Sequence, residues 1–133
     1  MKAAYVDSSC IVAVVFEEPA YPGLGSKLES YDVLFSSNLL EAEVRVAVLR
    51  EEPTAAPDEV LRWISWVHPD RPLTAEFGEV LRVGYLRGAD LWHVATALFL
   101  QEAVGALEFL SLDQRQLEIA AKLGFSSDSK IGN

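Results

Sequence analysis

Four acids in this chain, Asp7, Glu43, Asp90 and Asp113, occupy positions where a carboxylate could do more than carry surface charge. Grouped carboxylates are the donors that hold hard divalent cations such as Mg²⁺ or Mn²⁺. Taken one at a time, each has a simpler role. Asp7, Asp90 and Asp113 each precede a stretch with helical character, where a capping carboxylate stabilises the helix by about 1 kcal/mol. Glu43 is different because it falls inside a predicted helix. At about 100° per residue, Glu41, Arg45 and Glu52 fall together as the solvent stripe, and Glu43 falls opposite, among Leu39, Leu40, Val46 and Ala47. A carboxylate aimed at the core is costly unless it is paired or holds a metal. Arg50, two turns on, is the candidate for an ordinary internal ion pair.

These acids need elements to position them. Lys2–Val6 reads as a buried strand ending at Asp7, with a helix from Ser8 or Ser9 to about Glu17. Residues 19–25, with two prolines and two glycines, form a loop. A short helix over Ser26–Ser30 leads to a strand at Val33–Phe35. Asn38 then caps a helix to about Glu51, which Pro53 ends. The pattern predicts further helices over Asp58–Val67, over Ala75–Tyr85 capped by Thr74, and from Asp90 to about Ala103. Gly88 and Gly105 bound the last of these. A strand at Leu107–Leu112, a helix at Gln114–Leu123 stopped by Gly124, and a last strand at Phe125–Ile131 complete the series. Strands alternating with helices imply an α/β fold with a central parallel sheet covered on both faces. In such sheets the ligand crevice lies beyond the carboxyl ends of the strands, at a switch in strand order. Asp7 and Asp113 each follow a predicted strand, which places both at that rim.

Composition narrows the class. Twenty acids against eleven Lys and Arg give a formal charge of −9, spread along the chain, which argues against a nonspecific nucleic-acid binder with a basic patch. At 133 residues, half of them apolar, the expectation is one packed domain over 1–133. No segment has the ~20 uninterrupted apolar residues of a membrane span, and the amino terminus lacks the apolar run of a signal peptide. The lone Cys10 sits in the run Cys10-Ile11-Val12-Ala13 as a small core residue, consistent with a cytoplasmic protein.

The stretch Leu91–Leu100 is apolar nearly all round except for His93 and Thr96, so it should be a buried helix with Asp90 at the edge of the core. Other chemistries fit poorly. A receiver-like module wants paired acids near the first strand and a Lys after the last, where this chain has Ser8-Ser9 and no Lys after Ser111. A dehalogenase-type phosphatase wants a second acid two residues after the first, where Ser9 stands. Gly23-Leu24-Gly25 lacks the lysine and the preceding strand of a phosphate-binding loop.

Taken in order, Asp7-Ser8-Ser9; Ser36-Ser37-Asn38-Leu39 leading to Glu43; Leu86-Arg87-Gly88-Ala89-Asp90-Leu91-Trp92-His93-Val94-Ala95-Thr96-Ala97-Leu98; and Phe109-Leu110-Ser111-Leu112-Asp113 resemble the PIN domain and, within it, the VapC-type toxins. The third block is the most specific, and the likeness covers nearly the whole chain apart from Trp66–Tyr85. The resemblance implies a three-layer α/β/α sandwich and a ribonuclease, with Asp7, Glu43, Asp90 and Asp113 binding Mg²⁺ or Mn²⁺. Ser9 and Ser111 match the hydroxyl positions beside the first and last acids, and His93 and Thr96 stand behind the site. Arg87 and Arg115, next to Asp90 and Asp113, are candidates for phosphate contact. A toxin would be restrained by a small antitoxin whose tail supplies an Arg to the acidic cleft, and a homodimer is expected. Residues 20–28 and a helix carrying Trp63 and Trp66 on one face are the candidate docking surfaces. A housekeeping RNA-processing enzyme, or a protein that binds RNA without cutting it, is the alternative.

Overall fold

The protein is described from a computed structural model over residues 1–126. Its sheet has four strands, β1 (Ala3–Val6), β2 (Val33–Ser37), β3 (Ile64–Val67) and β4 (Glu108–Leu110), in the order β3-β2-β1-β4. All three pairings are parallel, with Ala4 opposite Leu34, Tyr5 opposite Phe109, and Phe35 opposite Ser65. β1 is central and every residue of it is buried, which explains its unbroken Ala-Ala-Tyr-Val run.

Helices cover both faces, as expected of a three-layer α/β/α sandwich. Alternate strand residues divide between two cores. Ala4, Val6, Leu34, Ile64 and Leu110 pack under α1 (Ser8–Val15), α2 (Leu24–Glu29), α3 (Asn38–Glu51) and α4 (Asp58–Leu61). Tyr5, Val67 and Phe109 pack under α5 (Thr74–Val83), α6 (Gly88–Val104) and α7 (Gln114–Lys122). His93 through Ala97 and Leu100 are all buried, so α6 is the interior helix its sequence predicts. Cys10 is buried among apolar neighbours, and burial pushes its thiol pKa well up. No helix among the described residues is long and apolar enough to cross a membrane.

Several expectations need correction. Residues 58–67 are not one helix: α4 ends at Leu61 and β3 begins at Ile64. Ile64-Ser65-Trp66-Val67 is a β-branched and aromatic run whose alternation matches a strand, with Ile64 and Trp66 on one core and Val67 on the other. Trp63 and Trp66 therefore share no helix face. Both are half-buried against the first core; in residues 20–28, Leu24 and Leu28 are buried while Ala20, Pro22, Gly23 and Ser26 are exposed. α3 begins at Asn38 with Ser37 as its cap, α5 begins at Thr74 with Leu73 as its cap, and neither cap residue's side chain bonds the first N–H groups of its helix. α6 begins at Gly88, which puts Asp90 in its first turn rather than at its cap. The buried stripe of α3 is Leu40, Val44 and Val48, and Val46 is 59% exposed, so the core does not lie on the Val46 side.

Two glycines matter for the frame. Gly124 has φ 94° and turns the chain after α7, the left-handed stop expected there. At Gly84 a β-carbon would lie 2.9 Å from the Arg115 guanidinium and 3.0 Å from Ile119, so its absence lets the α5–α6 connection approach α7. Of the expected last strand, Ser126 bridges Glu108 in parallel and the Phe109 N–H donates to its carbonyl at 3.0 Å. Residues 127–131 lie outside the described residues.

Candidate active site at the carboxyl ends of β1 and β4

The chain lays down β1, β2 and β3 in one direction across the sheet, then returns to place β4 on the other side of β1. That reversal opens a crevice beyond the ends of β1 and β4. Asp7 follows β1 directly, and Ser111 and Asp113 follow β4.

Asp7 is the cap of α1 and lies almost wholly buried. Its Oδ1 accepts from the Ser9 N–H at 3.1 Å and the Ser9 hydroxyl at 2.6 Å, and its Oδ2 lies 3.0 Å from the Ser111 hydroxyl. Burial pushes its pKa up to about 6, against the pull of Ser9, His93 and Ser111, and the Asp90 charge adds to the rise. The Leu112 N–H donates to Ser9 Oγ at 2.9 Å, tying the start of α1 to the β4–α7 turn. Asp113 caps α7, accepting from the N–H groups of Arg115 at 2.8 Å and Gln116 at 3.2 Å. Capping is thus true of Asp7 and Asp113. It does not isolate them, because the charges of Asp7 and Asp90, and of Asp90 and Asp113, still act on one another.

Asp90 is half-buried, and its carboxyl is raised by burial first, then by the charge of Asp113, with Glu43 adding; His93 and Arg87 oppose. Among the described residues Arg50 pairs with Glu51, at 3.4 Å, and not with Glu43. Glu43 Oε1 instead lies 2.7 Å from Nε2 of His93, across from α3 to α6. The four acids therefore act on one another through Asp90, which feels both Asp113 and Glu43 and is felt by Asp7. Among the described residues, no group of three or more acid, histidine or cysteine side chains stands drawn together tightly enough to hold a metal ion in place. The donors are nonetheless carboxylate oxygens, chemically suited to Mg²⁺ or Mn²⁺, and their mutual repulsion favours a cation between them.

The remaining expected residues divide. Ser9, Ser111 and His93 touch the acids. Thr96 does not: its hydroxyl is buried and donates to the Trp92 carbonyl one turn back, at 2.7 Å. Arg87 and Arg115 are exposed at the rim. Arg87 precedes α6, and Arg115 Nε reaches the Tyr85 carbonyl at 3.4 Å.

Two residues escaped the sequence reading. Gln116 is fully buried, with Oε1 2.8 Å from the Ser111 hydroxyl and Nε2 donating to the Asp90 carbonyl at 3.3 Å. Its spacing from Ile119 and Ala120 puts it on the buried face of α7, and that was the available signal. Tyr5, fully buried with its hydroxyl 2.8 Å from His93 Nδ1, could be suspected because a tyrosine in a buried strand needs a partner for its hydroxyl.

The PIN domain family matches residues 4–122, which takes in the parallel sheet from Ala4 onward and all four acids. The chain belongs to that family. PIN domains are generally nucleases and generally use divalent metal ions. Among curated proteins, no relative matches the chain.

Proposed function

We propose that the protein is a ribonuclease that hydrolyses RNA phosphodiesters with Mg²⁺ or Mn²⁺, and that it is the toxin of a toxin–antitoxin pair. The observation that carries the cleavage reading is the electrostatic coupling of Asp7, Glu43 and Asp113 to Asp90 at the β1/β4 switch point.

In this reading Asp7, Glu43, Asp90 and Asp113 hold the cation. A divalent cation there supplies Lewis-acid polarisation of the scissile phosphate and a lower pKa for the attacking water. The protein's own groups set the frame. Ser9 and Ser111 orient the two oxygens of Asp7, and His93 holds Glu43. Arg87 and Arg115 stand outside the acids, where a guanidinium can contact a phosphate and offset the acidic surface. The toxin role rests on the sequence resemblance. A cognate antitoxin with a basic tail would fit an acidic crevice, and a homodimer is the expected assembly.

One observation favours the alternative of RNA binding or processing without this chemistry: no three donors stand close together among the described residues. Cleavage of a mixed RNA pool with Mg²⁺ or Mn²⁺, beside EDTA and Asp90→Asn controls, separates the two. Cutting that needs metal and disappears in Asp90→Asn supports the nuclease. Cutting that survives in Asp90→Asn, or retention of RNA by well-folded protein without cutting, overturns it. Co-purification with a small basic-tailed protein encoded beside it separates toxin from housekeeping enzyme.

A further inference from the structure

A chain of hydrogen bonds runs behind the acids, from β2 through β1 and α6 to α3. The Ser37 N–H donates to the Tyr5 hydroxyl oxygen at 3.2 Å, that oxygen lies 2.8 Å from His93 Nδ1, and His93 Nε2 lies 2.7 Å from Glu43 Oε1. Tyr5 and His93 are 0% and 1% exposed, so water does not complete these bonds.

The protons can be assigned by what each atom is able to do. An ionised carboxylate only accepts, so a bare Nε2 lone pair against Glu43 would be repulsive and Nε2 carries hydrogen. Burial lifts the Tyr5 pKa to about 12, which keeps its hydroxyl protonated at neutral pH. Since that oxygen already accepts from Ser37, its proton needs an acceptor, and Nδ1 is in reach. Each group is then used once when the ring holds its hydrogen on Nε2 and Nδ1 accepts from the Tyr5 hydroxyl. The ring is further fixed edge-on to Tyr5, at 5.8 Å and 60°, and Tyr5 itself lies flat against Phe109, at 5.8 Å and 7°.

We propose that the Tyr5 hydroxyl fixes the tautomer of His93 and through it the position of Glu43, which makes Tyr5 and His93 positioning residues for the acid cluster. The proposal rests on the reading of Glu43 as a cation ligand. Residues behind a ligand that orient it in this way typically change metal affinity by 10- to 100-fold when removed. Glu43 has special need of such a support. Unlike Asp7 and Asp113, it is held by no backbone N–H, because it lies in the middle of α3.

The test pairs two readouts, ring ¹⁵N NMR of His93 and Mn²⁺ affinity by EPR titration, on wild type and Tyr5→Phe. The substitution keeps the ring against Phe109 and removes only the hydroxyl. Wild type should show the Nε2–H tautomer, and Tyr5→Phe should lose that preference and bind Mn²⁺ about tenfold more weakly. In a Glu43→Gln background, Tyr5→Phe should weaken Mn²⁺ binding no further. A purely structural tyrosine would lower the melting temperature and leave affinity and coupling untouched, which overturns the proposal. So does an Nδ1–H tautomer in wild type. If Tyr5→Phe does not fold, His93→Asn asks the same of the Nε2 donor, and wild-type affinity in that variant overturns the proposal. Absence of Mn²⁺ uptake by wild type sinks the cation-site reading itself, whereas equal uptake by wild type and Tyr5→Phe sinks this inference alone.

Discussion

The Ser111 hydroxyl stands between Asp7 and Gln116, 3.0 Å from the carboxylate Oδ2 and 2.8 Å from the amide Oε1, and it has one proton for two acceptors. The same oxygen accepts from the Asp113 N–H at 2.9 Å. One hydroxyl thus links the first acid of the crevice, the last acid and the buried amide that holds the Asp90 carbonyl.

Ser111→Ala should therefore be costly. It leaves the Asp113 N–H and the fully buried Gln116 Oε1 without this partner, and orphaned buried groups cost about 1–3 kcal/mol. The Asp7 pKa should also rise further, because Ser111 is one of the groups holding it down. Denaturant unfolding and ¹³C titration of the Asp7 carboxyl check the two effects. Wild-type stability together with an unshifted Asp7 would contradict the network.

Asp7→Asn should stabilise the metal-free protein at neutral pH. The folded pKa of Asp7, about 6, lies above its ordinary value of 3.8. Between those values the native state binds more protons than the unfolded chain, so stability falls as pH rises through that window and stays low above it. A rise of about two pH units corresponds to about 3 kcal/mol at most. Asparagine removes that penalty while its oxygen still accepts from Ser9 and its amide can donate to Ser111, whose proton then goes to Gln116. A gain of about 1–3 kcal/mol at pH 7, vanishing near pH 4, is expected from denaturant melts without metal and with EDTA. Loss of stability at pH 7 would mean that the two Ser contacts outweigh the burial cost.

Much of this site could be read from the chain, for identifiable reasons. Asp7 and Asp113 were legible because a strand, an acid and a helix start lie within a few residues, and strand ends are where α/β crevices open. Glu43 was legible as an anomaly on its helix, although its partner was not. Arg50 lies on the same helix and suggests itself locally, whereas His93 is 50 residues away and meets Glu43 only once α6 is packed. Tyr5, 88 residues from His93, carries no local sign of its contact. β3 was missed because Asp-Glu-Val-Leu-Arg favours a helix just ahead of it, and four residues give too little alternation to mark the change. Its strand character comes from pairing with β2, a tertiary contact.

Away from the crevice, Glu76 is buried and takes both Arg71 guanidinium nitrogens, at 3.0 and 2.6 Å, while Arg71 lies 5.1 Å above the Phe99 ring. Arg71 holds the Glu76 pKa below its ordinary 4.5. A depressed carboxylate contributes stability that is present above the ordinary value and is lost as pH falls through the folded one. Arg71→Ala strands the buried charge. Because the Arg71 side chain is 44% exposed, solvent screening should keep the loss at pH 7 well below that of a fully buried pair. Wild type and variant should converge under acid, well below pH 4.5. A difference that persists unchanged into acid would assign the effect to the Arg71–Phe99 packing.

Arg87 and Arg115 test how an acidic protein takes a polyanion. Arg87 flanks Asp90 and opposes the rise of its pKa; Arg115 is steadied by the Tyr85 carbonyl at 3.4 Å and reaches Glu118 at 3.7 Å. Neither arginine is buried, so removing one should cost little stability. If each contacts one phosphate, Arg87→Ala and Arg115→Ala should raise KM for RNA at moderate salt and leave kcat nearly unchanged. The steepness of log KM against log salt should fall by about 0.7 per arginine for a single-stranded substrate. Arg115→Lys should recover the salt slope, because charge sets it, and only part of the KM, because a lysine cannot reproduce the guanidinium fork. Variants that keep the wild-type slope would place the RNA path elsewhere on the rim. A fall in kcat with unchanged KM would put the arginine at the reacting phosphate, in contact with charge that develops only during cleavage.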